Sequence, residues 1–402
     1  MYDSEFKPVL RFMVCSDVHY KDGYTVERDR MKHAIEKSYE LASKDEYKNL
    51  DAIYVVGDFA NRGTPEQMIA FKNTLDECVK EGTYVNLSVA SHEFGHDGVD
   101  GAKQRLKDIF SLEPNTHKVI NGFHFISLSC SAHCDYYEPE IEFAANALKE
   151  AAEDDHKKPI FFFQHPHISD TVYGSINWGD DALYPTLCSY PQVIDFSGHS
   201  HAPINDPRSI HQKHFTSLGT GTLSYFENDE FDKWYGTCFP GKELAAQMLI
   251  VEADENGRVR VYPYDLITDN FFPFVWKIDE PWNPKSFTYT DERYKTDAAP
   301  YFEPNASAVV SGITEDGFTV TFDQAVIEKE YVNDYNVYVL REDDTVAALK
   351  NVWSEYYFYD MPKNLSVTFD GLKKGKYRVE IYAGSFWKTR SKEPLKINEI
   401  II

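Results

Sequence analysis

Histidines and aspartates recur in five short segments, each placed directly after an apolar run. The segments are Asp17-Val18-His19, Gly57-Asp58, Ser91-His92-Glu93, His165 and Gly198-His199-Ser200-His201. An Asp-x-His or His-x-His pair on a loop lets two side chains converge on one ion, and imidazole nitrogen mixed with carboxylate oxygen suits Mn, Fe, Zn or Ni better than Ca or Mg. Any one of the fourteen histidines alone would more often be an ordinary core or surface residue. Together, the five segments predict a transition-metal site.

The apolar runs that precede these segments have the length of strands. They span residues 9–15, 51–56, 84–89, 160–163 and 193–196. Because ligands bind at the strand ends in open α/β architectures, we expect the five segments to meet at one edge of the sheets. Further strands are predicted at 119–128, 248–253 and 259–264.

The segments between the early strands have apolar residues at helical spacing, which predicts helices there. One apolar helix face is marked by residues at helical spacing: Met31, Ala34, Ile35, Tyr39 and Ala42. A second helix is predicted to begin after Thr64, with Pro65 first and Gln67 completing a capping box, and to bury Ile69. A third lies near 140–153. Strand–helix alternation early and paired strands late predict an α/β fold with a sheet-on-sheet core and outer helices.

Downstream, the composition changes twice. Residues 266–302 are rich in proline and aromatic residues, which predicts an extended segment wrapped on a catalytic domain at 1–265. Residues 303–402 alternate with the two-residue period of strands, which predicts an all-β sandwich. Its stretch 371–379 resembles the late strands of a fibronectin type III module. This domain is a candidate for binding a protein partner or for self-association.

The order of the five segments resembles the signature of the calcineurin-like metallophosphoesterase superfamily over residues 9–265. That signature runs Asp-x-His, Gly-Asp-x-x-x-x-Gly, Gly-Asn-His-Asp/Glu, His and Gly-His-x-His. The resemblance implies a four-layer α/β/β/α sandwich that hydrolyses phosphomonoesters or phosphodiesters at two metal ions. By position, one ion is held by Asp17, His19 and His201, the other by His165 and His199. Asp58 bridges both, and His92 acts as general acid or transition-state donor.

Charge considerations agree with a metal-centred phosphoesterase. The chain has a formal net charge of −24. Such a surface repels nucleic acid and anionic membranes, so neither is an expected partner. Two metal ions outweigh the two ligand carboxylates, which makes the site locally positive and able to draw in a small phosphorylated substrate. They also lower the pKa of a bridging water, and the resulting hydroxide can attack phosphorus in line.

The chain departs from the superfamily pattern at two positions. Ser91 stands where the pattern has a metal-ligating Asn, and we expect it to ligate the second ion weakly; a change introduced to weaken turnover is the alternative. Asn61 replaces an acid found in the Gly-Asp-x-x-Asp-Arg-Gly of protein phosphatases, and is still expected to orient His92. The neighbouring Arg62 is a candidate for bidentate phosphate contact or an exposed arginine. His167 is a candidate for lining the substrate pocket.

Other features are less specific. Loops 173–184 and 225–235, with Trp178 and Trp234, could shape specificity or simply pack. Cys130 and Cys134 flank His133, and these three residues could be interpreted as part of a zinc site. We favour the interpretation that the cysteines are buried thiols, because no second ligand pair follows at zinc-site spacing.

The remaining alternatives concern function and location. The acidic N-terminus without an apolar stretch predicts a cytoplasmic protein, and no run reaches membrane-spanning length. Two alternative functions stay open: a catalytically weakened binding protein that keeps the fold, favoured by Ser91, and a nuclease, disfavoured by the charge.

Overall fold

The computed structural model describes residues 5–231, 235–328 and 330–402. The chain divides into two compact units, Met1–Thr290 and Asp291–Ile402. Segment 266–290 contributes two short strands to a sheet of the first unit. The three-part division at 265 and 302 stays a prediction.

The first unit alternates strands and helices along most of its length. Its strands are β1 (Pro8–Cys15), β2 (Ala52–Val56), β3 (Tyr84–Ser88), β4 (Thr116–Ile120), β5 (Phe123–Ser127), β6 (Ile160–Gln164), β7 (His167–Ile168), β8 (Gly179–Asp180), β9 (Val193–Ser197), β10 (Ile210–Gln212), β11 (Thr216–Gly219), β12 (Asn228–Asp229), β13 (Tyr235–Thr237), β14 (Gln247–Asp254), β15 (Val259–Asp265), β16 (Asn270–Phe271) and β17 (Trp276–Ile278). Its helices are α1 (Val26–Ser43), α2 (Pro65–Cys78), α3 (Gly98–Phe110), α4 (Glu138–Asp154), α5 (Ser175–Trp178) and α6 (Tyr184–Leu187).

Two mixed sheets form the centre of this unit. One has the order β16-β15-β14-β1-β2-β3, with β17 also paired to β15, and the other has the order β10-β11-β9-β6-β5-β4. Aromatic rings fill the space between their inner faces: Phe12 of β1 lies edge-on to Phe161 of β6 at 4.8 Å, and Tyr54 of β2 stacks on Phe163 at 4.0 Å. These contacts bury large apolar areas and hold the sheets face to face.

Helices cover both outer faces. On the first sheet, Met13 and Ile53 pack in one cluster with Met31 of α1 and Phe71 of α2. On the second, the outer-facing residues of β5, β6 and β9 pack with Leu148 and its neighbours on α4. The α/β/β/α layering implied by the resemblance is therefore confirmed.

The structure differs from the predicted elements at two places. The single strand predicted at 119–128 is a hairpin of β4 and β5, because Asn121 and Gly122 both have positive φ and turn the chain. In α2, Ile69 is 47% exposed, since the buried stripe runs through Met68 and Phe71. Thr64 caps α2 by accepting from the Gln67 amide, but the Gln67 side chain accepts from Arg62 N rather than closing the capping box.

The second unit is an antiparallel sandwich that follows the short helix α7 (Arg293–Thr296). Its strands are β18 (Ala308–Ser311), β19 (Phe318–Asp323), β20 (Asp334–Arg341), β21 (Val346–Trp353), β22 (Asn364–Phe369), β23 (Lys376–Gly384) and β24 (Leu395–Ile401). One sheet has the order β18-β19-β22 and the other β21-β20-β23-β24. Val320, Val337 and Val379 lie in the apolar core of the sandwich. The predicted all-β fold of this region is confirmed.

Across the described ranges, no helix is both long enough and apolar enough to cross a membrane.

A buried carboxyl group in the second sheet gives a pH-dependent prediction. Burial raises the pKa of Asp195 to about 8, and its Oδ1 accepts a hydrogen bond from Gln164 Nε2 at 3.0 Å. Because the folded pKa lies above the unfolded value, the unfolded chain loses this proton first, and Asp195 contributes a decrease in stability as pH rises from about 4 to 8. Asp195→Asn should flatten this slope and add a few kcal/mol at pH 8, on the order expected from such a shift.

Denaturant unfolding of the metal-free protein between pH 4 and 8 measures this slope. Asp108→Asn, at an exposed position of α3, serves as the control and should keep the wild-type slope. A slope unchanged in Asp195→Asn would show that Asp195 does not hold its proton in the fold.

Candidate metal centre

The five predicted segments follow the ends of β1, β2, β3, β6 and β9, and backbone hydrogen bonds join their loops. His19 N donates to the Asp58 carbonyl at 3.0 Å, and Gly198 N donates to the His165 carbonyl at 2.9 Å. Positive φ angles occur at the non-glycine residues Asp17, His19, Asp58, His199 and His201. Such angles cost free energy and cluster at functional sites, where the surrounding structure enforces them. The sharp turns direct the predicted ligands into one buried cluster.

Three of the ligands predicted for one ion lie together. Asp17 Oδ1 is 3.3 Å from His201 Nε2, and His19 Nε2 is 3.1 Å from the same nitrogen. One donor atom from each residue lies within 4.8 Å of the others. Two imidazole nitrogens this close must share a proton or a cation, since two facing lone pairs repel. The arrangement fits a metal ion between them.

Asp58 lies between this group and the ligands predicted for the other ion. Its Oδ2 is 3.0 Å from His165 Nε2, and its Oδ1 accepts from the His92 backbone amide at 3.0 Å. Asp17, Asp58 and His165 form a second set of converging donors, so the two sets share Asp17. His199 is close by, because its ring centroid is 5.0 Å from that of His165.

Backbone carbonyls orient three of the imidazole rings. The Nδ1 atoms of His201, His165 and His92 contact the carbonyl oxygens of Tyr225 (2.8 Å), Val56 (2.8 Å) and Asn61 (2.9 Å), respectively. A carbonyl accepts only, so each contact fixes a proton on Nδ1 and leaves Nε2 facing the cluster. Metal-binding histidines are typically held in this way.

The charges of His19, His199 and Asp58 fit metal ligation, whereas Asp58 outweighs burial and raises the pKa of His165 to about 10, so that a metal ion would have to displace a proton there. Burial, helped by His201, lowers the pKa of His19 to about 3, and burial with His165 lowers that of His199 to about 3. Burial opposes the charge of Asp58, yet nearby histidines, chiefly His165, hold its pKa well below the ordinary value. Neutral imidazole and ionised carboxylate are the forms that bind metals.

Buried polar atoms that lack hydrogen-bond partners indicate whether the cluster suits metal ions. Within the described part of the chain, Asp17 Oδ1 and His165 Nε2 are fully buried and make no hydrogen bond. Such atoms are costly unless something compensates them. Both belong to the donor set shared with Asp58, and their mixture of nitrogen and oxygen is the donor chemistry of transition metals. The residues therefore fit the predicted ions.

Sequence comparison agrees with this geometry. Residues 10–203 match the family model described as calcineurin-like phosphoesterase. This region belongs to that family. Comparison with curated proteins gives no match.

Solved structures give weaker similarities to this chain. Purple acid phosphatase PPD1 from yellow lupin (Lupinus luteus) seeds is 12% identical, with a TM-score of 0.48, over 67% of this chain and about half (53%) of that one. A myokine structure is 19% identical (TM-score 0.18; 26% and 97% covered), and the FN1-FN3 domains of chicken CNTN1 are 15% identical (TM-score 0.20; 41% and 44% covered).

Glu93 lies in the cluster, although the sequence motif assigned no role to it. Its carboxylate is buried and accepts backbone N–H groups from Asp58 (3.1 Å), Ala60 (2.7 Å) and Ala90 (3.0 Å). Burial and the Asp58 charge raise its pKa to about 8, against the opposing effect of these donors. Glu93 thereby joins the loops after β2 and β3 and fixes the backbone that carries Asp58.

The remaining predicted residues occupy distinct positions. Ser91 Oγ donates to Asp58 Oδ2 at 3.0 Å, and the guanidinium of Arg62 is exposed. His167 is 1% exposed, and its two ring nitrogens contact the hydroxyls of Ser197 and Ser200, each at 2.7 Å. These contacts argue that His167 supports the turn between His199 and His201, whereas its place in the substrate pocket stays a prediction.

Aromatic side chains from the two predicted loops reach the histidines. The Trp178 ring lies edge-on to His199, with centroids 4.9 Å apart, and the Tyr225 ring is 4.2 Å from His201. Trp234 lies outside the described residues. An influence of these loops on specificity stays a prediction.

Gly57 offers a direct test of how His165, a ligand predicted for the second ion, is positioned. It has a φ of +79°, and a Cβ at this position would lie 2.4 Å from His165 Nδ1. Gly57→Ala should therefore displace His165 and lower the metal content by one ion per chain. Inductively coupled plasma mass spectrometry measures this content. The matched control is Gly82→Ala, which has a φ of +92° and open space around it. Both variants should lose stability, on the order of 1 kcal/mol, because of the left-handed backbone.

Equal metal content in the two alanine variants would contradict the proposed dependence on His165.

Proposed function

We propose that the first unit hydrolyses esters of small phosphorylated compounds at a dinuclear transition-metal site. The observation that carries the proposal is the pair of adjoining donor sets, Asp17/His19/His201 and Asp17/Asp58/His165, which overlap on a buried carboxylate. Family membership supports phosphoesterase chemistry. The formal charge of −24 supports a small substrate over a nucleic acid.

Each residue has a role in this proposal. Asp17, His19 and His201 would hold one ion, and His165 and His199 the other, with Asp58 between them. When bound, the ions would supply an activated water and neutralise charge on the phosphate oxygens. The buried carboxylates stay ionised and the buried imidazoles orient their Nε2 atoms, so the protein provides a rigid site before substrate arrives.

In this proposal, His92 is the residue that acts on the substrate. It is half-buried, its backbone amide donates to Asp58, and its Nδ1 contacts the Asn61 carbonyl. This leaves Nε2 facing the cluster, and a second proton taken up there by the ring could pass to the leaving-group oxygen. The Asn61 contact uses the backbone, so the replacement of the acid in the protein-phosphatase motif does not prevent the ring from being oriented. The exposed Arg62 guanidinium is a further group that could bind phosphate.

Metal-dependent turnover tests this function. After chelation, activity on p-nitrophenyl phosphate, its bis ester and a cyclic nucleotide should return when Mn, Fe or Zn is added. His92→Ala should bind metal normally but lose about 10²- to 10⁴-fold in kcat, the range expected for removal of a proton donor. His96→Ala, a nearby histidine outside the donor sets, is the control.

The outcomes separate the alternatives. Stoichiometric metal without turnover on any ester would favour a phosphoesterase fold that serves binding. Unchanged turnover in His92→Ala would remove this residue from the mechanism. Preferential cleavage of DNA or RNA would replace the small-substrate proposal with a nuclease. A protein partner or self-association through the second unit stays a prediction.

A further inference from the structure

A thiol lies beside the histidines assigned to the second ion. Cys134 Sγ is 3.4 Å from His199 Nε2 and 3.8 Å from His199 Nδ1. Donor atoms of Cys134, His165 and His199 all lie within 4.8 Å of one another. Cys134 is 8% exposed, so the thiol faces the cluster and not solvent. The family signature contains no cysteine, and the second ion therefore has a neighbour that the motif does not describe.

The loop that carries Cys134 is held in place by its own hydrogen bonds. Ser131 N donates to the Asp135 carbonyl at 2.8 Å, and Asp135 N donates to the Ala132 carbonyl at 2.7 Å. Two residues beyond Cys134, the Tyr136 hydroxyl accepts from the His165 backbone amide at 3.2 Å. This hydrogen bond connects the loop that carries Cys134 to His165, a ligand predicted for the second ion.

The spacing matches a shared ion. With Zn–S near 2.3 Å and Zn–N near 2.0–2.1 Å, two ligands of a tetrahedral ion have their S and N atoms about 3.5 Å apart. The 3.4 Å between Cys134 Sγ and His199 Nε2 agrees with this value. His165 Nε2, the third donor atom, is fully buried and makes no hydrogen bond to any residue in the described ranges.

Ser91 leaves room for such a ligand. Where the family signature has an amide oxygen, Ser91 has a shorter side chain whose hydroxyl donates to Asp58. A hydroxyl engaged in this way is a poor metal ligand. Ser91 and Cys134 are also neighbours: burial raises the pKa of the Cys134 thiol, and the nearby Ser91 side chain opposes this effect.

We propose that Cys134 ligates the second ion as a thiolate, together with His165 and His199, and substitutes for the amide ligand that Ser91 has replaced. This inference rests on the proposed dinuclear site. On metal binding the S–H proton passes to solvent and a metal–sulfur bond forms, since a coordinating thiol is deprotonated. A soft thiolate at this position favours Zn or Fe over Mn.

Cobalt substitution tests the ligand without relying on activity. Apo-protein loaded with Co²⁺ should bind two ions per chain and show a thiolate-to-cobalt charge-transfer band in the near ultraviolet. Cys134→Ser should lose the band while the visible d–d bands of the remaining ion persist. Cys130→Ser, a buried cysteine four residues away that belongs to none of the donor sets, is the matched control and should keep the band.

Two further samples keep the test decisive if Cys134→Ser folds poorly. X-ray absorption at the zinc edge of the unmutated protein should show a sulfur neighbour at about 2.3 Å. The double variant S91N/C134A should bind two ions without the band, because it restores the amide ligand.

The results distinguish this inference from the proposed function. Two bound ions without a metal–sulfur signal would overturn the role of Cys134 and leave the dinuclear site standing. Failure of the unmutated protein to bind a second ion would overturn both.

Discussion

The buried carboxylate of Asp58 is the interaction on which the rest of the site depends. It accepts hydrogen bonds from the Ser91 hydroxyl and the His92 amide and lies 3.0 Å from His165 Nε2, while Glu93 accepts from its backbone amide and His19 donates to its carbonyl. Loops after β1, β2, β3 and β6, drawn from both sheets, are therefore joined at one residue. A buried charge of this kind is costly unless cations and hydrogen bonds compensate it. The fold tolerates it because the histidines converge there, and bound metal ions would complete the compensation.

Much of this architecture could be predicted from the sequence, because strand periodicity and strand-end chemistry are local signals. The strand ends before Asp17, Asp58, His165 and His199 were placed correctly to within about a residue, and the fold class followed. The left-handed turns at the ligands could not be predicted, since positive φ is uncommon for any non-glycine residue and nothing in the local sequence of the five segments singles these positions out. Cys134 was interpreted as a buried thiol, and Glu93 was noted in its motif without a role. The significance of both depends on contacts with segments far away in the chain. The turn between β4 and β5, by contrast, could have been predicted, because Asn-Gly is a common hairpin turn. The apolar residues on both sides of Asn121-Gly122 were instead interpreted as one strand.

The departures from the family signature have different structural consequences. Asn61 contributes a backbone carbonyl to His92, so the change of side chain leaves that contact intact. Ser91 changes the donor set itself, because its hydroxyl turns to Asp58 and a thiol lies across from it. A charged thiolate in place of a neutral amide would also reduce the positive field of the second ion. The chain therefore has the carboxylates and imidazoles of the family signature, and under the Cys134 proposal it would differ in one ligand of the second ion.

Anomalous diffraction from crystals grown with zinc, recorded on both sides of the zinc absorption edge, tests the central claim most directly. The account predicts two anomalous peaks on either side of the Asp58 carboxylate, one bonded to Asp17, His19 and His201 and the other to His165 and His199. A single peak, or peaks that do not contact Asp58, would contradict it.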